Sequence, residues 1–317
     1  MKRNSAPHPA KIAVIIPYLG EFPNYLAYFL QTCHYNKNID FLFFCDKSFP
    51  GVTGGTSNVY AHDMTLAEFN EMAGLKLGRN VQAPNAYKIC DFRPMFGKIF
   101  ADYLDGYEFW GFCDIDVIFG NTSEVLTAEV LENYDVISAH SQYLSGPFSL
   151  FRNTKEVNEL YSKSADAELV MTRPAYSKFD EASNALPHLW AGGDIADFKA
   201  EIESMTHVLK NPQKCALRVR FAGFITERVT GELTWQNGIL RDQNGKEVFV
   251  FHYIVYKNRF DFGVVGSEFK PGQPFYFYQS GLHTGAVLHK TWYRLGHFAQ
   301  NFSRRAIKKI RSYAKKK

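Results

Sequence analysis

Residues 107–120, YEFWGFCDIDVIFG, decide how this chain is read. Trp110, Phe112, Val117, Ile118 and Phe119 are large and apolar, as in a buried strand. Yet Asp114 and Asp116 stand among them. An ionised carboxylate buried without a partner is very costly. Residues two apart in a strand face one side, and two carboxylates held together repel unless a cation lies between them. A hard divalent ion, Mn²⁺ or Mg²⁺, takes oxygen ligands and leaves positions open for a diphosphate. The competing reading gives one aspartate to a helix cap and the other to solvent, because so short a pattern also arises by chance.

The surrounding chain gives this stretch its place. KIAVIIPYLG (11–20) and IDFLFFCD (39–46) read as buried strands, with helical apolar spacing between them at Leu26, Phe29, Leu30 and Cys33. Residues 59–74 give a short strand and then a helix, with Thr65 as N-cap and Glu68 completing a capping box. FRPMFGKIFADYL (92–104) predicts another helix, and 107–120 the fourth strand. Alternating helices and near-continuously apolar strands predict an α/β fold with a mostly parallel sheet covered on both faces. In such a sheet ligands bind at the carboxyl ends of the strands, where the two aspartates fall. From 216 to 256 the signal turns to β, with hairpin turns expected at Asn237-Gly238 and Asn244-Gly245.

Composition narrows the class. The 317 residues are 46% hydrophobic, enough for a substantial core, but no apolar run approaches the length that spans a bilayer. The polar start, MKRNSAPHPAK, has no apolar signal core. Five cysteines form no C-x-x-C pair and are expected to be reduced, mostly buried thiols of a cytoplasmic protein. No G-x-x-x-x-G-K-[ST] and no G-x-G-x-x-G occurs, so any nucleotide is held without a Gly-rich helix start. Net charge is +4, but residues 291–317 carry nine Lys or Arg and no acid, which leaves the rest at −5. The organisation expected is a flexible 1–10, one domain over 11–290 and a basic amphipathic tail over 291–317.

PYLGEFPNYLAYFLQTCHYNKNIDFLFFCD, YKICDFRPMFGKIFADYLDGYEFWGFCDIDVIFG, GPFSLFRN and FDE together resemble a family of bacterial glycosyltransferase-like proteins associated with capsule and lipopolysaccharide synthesis. That family is similar to the A-type glycosyltransferase fold. The likeness covers roughly 11–260, is specific in the first 150 residues, and is much less clear in the last 60. It implies metal-dependent transfer of a sugar from a nucleotide-sugar, a UDP-sugar being the expected donor, to a cell-surface glycan or lipid-linked saccharide.

The resemblance also implies roles. Asp114 and Asp116 match the metal-holding D-x-D. Pro17, Tyr18 and Leu19 match the loop that lies against the nucleoside, and Asp46 a carboxylate bonding base or ribose. Asp91, Arg93 and Lys98 fall just before the metal strand. Arg93 is expected on the diphosphate or donor sugar, with a solvated helix face the competing reading for Arg93 and Lys98. A late histidine completes the metal site in glycogenin-type relatives, which implies His252 as third ligand; a lone histidine in an apolar run is otherwise a satisfied core residue. Lys257 is a phosphate contact by the same likeness.

Asp180 and Glu181 in SKFDEAS are the paired carboxylates suited to general-base work in an inverting transfer; a helix start with exposed acids explains them as well. Gly146, Pro147 and Phe148 are placed to border the donor sugar, although related sequences more often carry histidine at Pro147. WAGGD (190–194) suits sugar stacking or a simple turn.

The tail's Trp292, Leu295, Phe298, Phe302, Ala306 and Ile310 follow helical spacing, with the basic residues elsewhere. That is the pattern of a helix lying in an anionic inner-leaflet interface; packing on the domain is the alternative. The expected protein is therefore cytoplasmic and membrane-peripheral, with no nucleic-acid partner. Two competing functions remain: a sugar nucleotidyltransferase, whose usual Gly- and basic-rich first loop PYLGEFPN lacks, and a non-catalytic glycan- or nucleotide-binding protein with a vestigial site.

Overall fold

The computed structural model describes residues 11–50, 58–265 and 272–284. The expected flexible N-terminus and basic tail lie outside them. The strands in chain order are β1 (Ile12–Tyr18), β2 (Ile39–Cys45), β3 (Val59–Asp63), β4 (Phe109–Cys113), β5 (Val117–Phe119), β6 (Val136–Ser138), β7 (Phe148–Arg152), β8 (Val219–Phe221), β9 (Ile225–Thr226), β10 (Leu233–Gln236), β11 (Ile239–Asp242), β12 (Val250–His252), β13 (Gly263–Val264), β14 (Phe275–Tyr278) and β15 (Gly281–His283). Among the described residues the two longest α-helices are α1 (Leu26–Tyr35) and α2 (Leu66–Leu77).

Alternation in β1 divides the core. Ala13 and Ile15 face one side with Leu42, Phe44, Trp110 and Phe112, under Phe69, Ala73 and Leu77 of α2. Ile12, Val14 and Ile16 face the other with Phe41, Phe43 and Phe109, under Leu26, Phe29 and Leu30 of α1. Both faces are covered, which is why these strands read as continuous apolar runs. Each such side chain contributes about 1.5–3 kcal/mol on burial.

The seven-stranded central sheet has the order β3-β2-β1-β4-β7-β6-β8. The pairs β1–β2, β1–β4, β2–β3 and β6–β8 are parallel, and β7 runs antiparallel to both its neighbours. The protein is thus mixed α/β with a large, mostly parallel central sheet. A second sheet, β11-β10-β14-β15-β13, and a third, β5-β12-β9, complete the described part.

Asn237 (φ 50°) and Gly238 (φ 83°) make the expected tight hairpin between β10 and β11. Thr65 and Glu68 form the predicted capping box. Three predictions need correction. The single strand over 107–120 is two, β4 and β5, with Asp114–Asp116 as the bend between them. The helix over 92–104 is mostly 3₁₀: Ala86–Met95 contains Pro94, only Phe96–Ile99 is α, and Ala101–Tyr103 is again 3₁₀. Gly97 is fixed by contact, because a Cβ there would sit 2.4 Å from the Trp110 indole. The β signal expected over 216–256 stops short of its end: β12 closes at His252, and Ile254–Lys257 is a helical turn.

Candidate functional site

The break after β4 builds the site. β5 leaves the central sheet and pairs antiparallel with β12, His252 opposite Val117. The Tyr253 N–H then donates to the Asp116 carbonyl at 3.1 Å, so His252 is held beside the two aspartates. β9 runs parallel to β12, with Ile225 opposite Val250 and Thr226 opposite Phe251. The next step along this pair brings Glu227 to His252. On the other side, the Asp114 N–H donates to the Pro147 carbonyl at 3.2 Å.

Asp114, Asp116 and His252 each offer a ligand atom, and these atoms all lie within 4.8 Å of one another. His252 Nε2 is 3.4 Å from Asp116 Oδ2 and 3.7 Å from Asp114 Oδ2. Its Nδ1 is 2.8 Å from Glu227 Oε1. A carboxylate on the far nitrogen orients a ligating histidine and raises its basicity.

His252 Nε2 and Asp116 Oδ2 are buried and make no hydrogen bond, although Lys257 Nζ is 2.8 Å from that oxygen as an ion partner. These two buried donor atoms, beside the Asp114 carboxylate, form an O, O, N set that fits a divalent cation. Burial disfavours charge on His252, but Asp116 and Glu227 outweigh it and raise the imidazole to about 10. Burial likewise opposes ionisation of Asp116, yet His252 and Lys257 hold it at about 2.

Arg93 joins the aspartates to the FDE segment. It donates to Asp114, to Asp180 Oδ2 at 3.0 Å and to the Gly146 carbonyl at 3.2 Å, and it lies over the Phe112 ring. Asp180 is fully buried, also accepts from the Tyr176 hydroxyl at 3.0 Å, and is raised well above the carboxylate range by burial. Glu181 faces the cleft and accepts from the Gly146 N–H at 3.3 Å. Burial, with the Asp114 charge adding, raises it to about 7. A Cβ on Gly146 would lie 2.8 Å from Glu181 Oε1 and 3.1 Å from Arg93, so a larger residue there would push one of these two side chains aside.

Lys178 (φ 55°) and Ser183 (φ 53°) take left-handed backbone on either side of this segment. Asp91 forces the first of these bends, accepting from the Ser177 and Phe179 N–H groups at 2.8 Å each. Its charge is balanced by fully buried Lys88 at 2.7 Å.

These groups line a cleft of about 540 Å³ at the carboxyl ends of β1 and β4. Pro17, Tyr18, Leu19, Arg93, Asp114, Asp116, Glu181, His252 and Lys257 are all on its walls. Six expected residues are not: Asp46, Asp91, Lys98, Gly146, Phe148 and Asp180. Lys98 points to Glu159, 3.4 Å away outside the cleft. Asp46 is exposed and accepts from the Gly20 N–H at 2.7 Å, fixing the loop after β1. Asp91 is buried as a brace for the FDE segment, and Asp180 is shut in behind Arg93. Phe148 is core, whereas Pro147 lines the cleft. A larger groove of about 850 Å³ on the five-stranded sheet contains none of these residues.

Residues 14–260 match the model of a family of unknown function, DUF6625. The chain belongs to that family. No curated protein matches it in sequence. Among solved structures, this DUF6625 chain is similar to the galactosyltransferase LgtC crystallised with donor and acceptor sugar analogs. The two share 12% identity over 48% of this chain, with a TM-score of 0.31. The match spans 63% of that enzyme's chain, so this chain covers less than two thirds of it.

Glu227, Tyr25 and Tyr87 of this DUF6625 chain also line the cleft and were not anticipated. The only signal for Glu227 is its place at the end of the short apolar run FAGFIT, and its partner 25 residues on is set by strand register. Nothing in the local sequence marks the two tyrosines.

Proposed function

We propose that this protein is a metal-dependent glycosyltransferase that takes a nucleotide-sugar, with a UDP-sugar the leading donor, and passes the sugar to a saccharide acceptor. The observation that carries the reading is the Asp114–Asp116–His252 set, with two buried donor atoms lacking hydrogen bonds, at the strand ends of a cleft large enough for such a ligand. The sequence resemblance supplies the reaction class. Asp114, Asp116 and His252 would hold Mn²⁺ or Mg²⁺, Glu227 orienting the imidazole. When bound, such an ion offsets charge that develops on the leaving diphosphate.

The chain's own residues do the rest. Pro17, Tyr18 and Leu19 form a wall for the nucleoside. Arg93, braced by Asp180 and Gly146, and Lys257 present positive charge toward phosphate oxygens. Glu181 is the cleft carboxylate free to take the proton of an acceptor hydroxyl as that oxygen attacks the anomeric carbon and the diphosphate leaves with the bonding electrons. Asp180 positions Arg93 and takes no proton from the acceptor.

A second reading has an observation of its own. Arg93 pairs with Asp114 and Lys257 with Asp116, so basic groups already neutralise both aspartates. On this reading the two cations hold the diphosphate without a metal. The experiment that separates the readings is the thermal midpoint with a panel of nucleotide-sugars, with Mn²⁺ and with EDTA. A rise that needs the metal supports the first reading, and an equal rise in EDTA supports the second.

A further inference from the structure

Large aromatic rings left in water mark contact surfaces more often than accidents when they rim a polar cleft. Tyr87 is 66% exposed and Trp190 61% exposed, and both line the cleft that holds Asp114 and Asp116. Tyr143, Tyr176 and Glu181 line the same cleft.

Trp190 is presented on a fixed support. It ends the helical turn Leu186–Trp190, whose Leu186 and Leu189 are buried against Tyr143, Ala182 and Ile195. Gly192 (φ 90°) turns the chain at once. Gly193 then packs on the His188 ring, where a Cβ would lie 2.1 Å from Nε2. Tyr87 is held edge-on by Tyr176 at 4.7 Å between ring centroids, and the Tyr176 hydroxyl is bound to Asp180. Two rigid ring faces are thus kept open at a site whose free charged group is an acid.

That chemistry selects the ligand. The Glu181 carboxylate on the cleft wall disfavours a second anion beside it. A neutral ring with an apolar C–H face and hydroxyls at its edge fits both features: the face stacks on aromatic carbon, and a hydroxyl donates to the carboxylate. We propose that Tyr87 and Trp190 form a saccharide subsite that binds hexopyranose rings by stacking, with Glu181 accepting from a ring hydroxyl. Resting on the transferase reading, this subsite is where the acceptor sits and where its selectivity is set.

The test uses the full-length protein without nucleotide or metal, titrated with maltotriose, lactose and cellotriose, with sorbitol as an open-chain control. Binding is followed by calorimetry and by tryptophan emission, with Trp190→Phe identifying the Trp190 signal against Trp110, Trp235 and Trp292; Trp190 is exposed while Trp110 and Trp235 are buried. At least one of the three saccharides should bind at millimolar concentration and shift the emission, and sorbitol should not. Trp190→Ala and Tyr87→Ala should each weaken binding about tenfold, while Trp190→Phe keeps the affinity and loses the emission change. No binding by any of the three, or unchanged affinity in Trp190→Ala, overturns the subsite. Saccharide binding that persists when no nucleotide-sugar binds would sink the transferase reading alone. Metal-dependent nucleotide-sugar binding without saccharide binding would sink the subsite alone.

Discussion

His252 is where single side chains decide the chemistry. One nitrogen faces Asp114 and Asp116, the other faces Glu227, and the ring is nearly fully buried at 5% exposure. A buried imidazole with acids on both sides is poorly explained as packing and well explained as a ligand with its orienting partner. We expect Glu227→Ala to weaken Mn²⁺ binding roughly 10- to 100-fold while leaving the fold intact. Calorimetric titration checks this, and an unchanged affinity would make Glu227 a bystander. The apolar run alone reads His252 as a core residue, and only the family resemblance pointed to a ligand. Glu227 was not legible, because a strand register rather than any spacing brings it there. Asp91 and Asp180 misled for a related reason: in sequence a buried brace and a working carboxylate look alike, and only burial separates them.

Among the elements, the far edge of the central sheet offers a measurable lock. Asp135, just before β6, accepts from Arg218 of the β8 approach at 2.7 Å and from Arg152 of β7 at 3.0 Å. Arg218, against some opposition from burial, and then Arg152 bring its carboxyl from 3.8 to about 2. A depressed folded value means the native state gains from the charged form. That gain is complete above about pH 4 and fades as pH falls toward 2. Asp135→Asn should therefore lower the urea unfolding free energy at pH 7, by no more than about 1 kcal/mol because solvent screens the exposed Arg218. The difference from wild type should shrink as titrations are taken from pH 5 to pH 3, and a gap independent of pH would contradict the assignment.

Elements were the most legible scale. β1, α1, β2 and the capped α2 follow from periodicity and cap chemistry. The 92–104 segment did not, because Pro94 breaks an otherwise helical apolar spacing and leaves only Phe96–Ile99 as α-helix. The β4–β5 break was hidden too, since apolar residues continue on both sides of the bend.

For the whole molecule, charge is segregated: nine basic residues lie in 291–317, against −5 for everything before. No helix among the described residues is long and apolar enough to cross a membrane. We propose that this tail attaches the protein to the inner face of the cell membrane, each basic residue near an anionic leaflet contributing about 1 kcal/mol. Deleting 291–317 should release the protein from liposomes containing phosphatidylserine. Undiminished sedimentation with those liposomes would remove the tail from the account.

The central claim is that Asp114, Asp116 and His252 hold a divalent ion that a nucleotide-sugar needs. The most direct measurement is calorimetric binding of UDP-sugars to wild type and to Asp116→Ala, each with Mn²⁺ and with EDTA. Binding by wild type only in Mn²⁺, lost in a folded Asp116→Ala, is the predicted result. Equal binding by both proteins, or by wild type in EDTA, would contradict it.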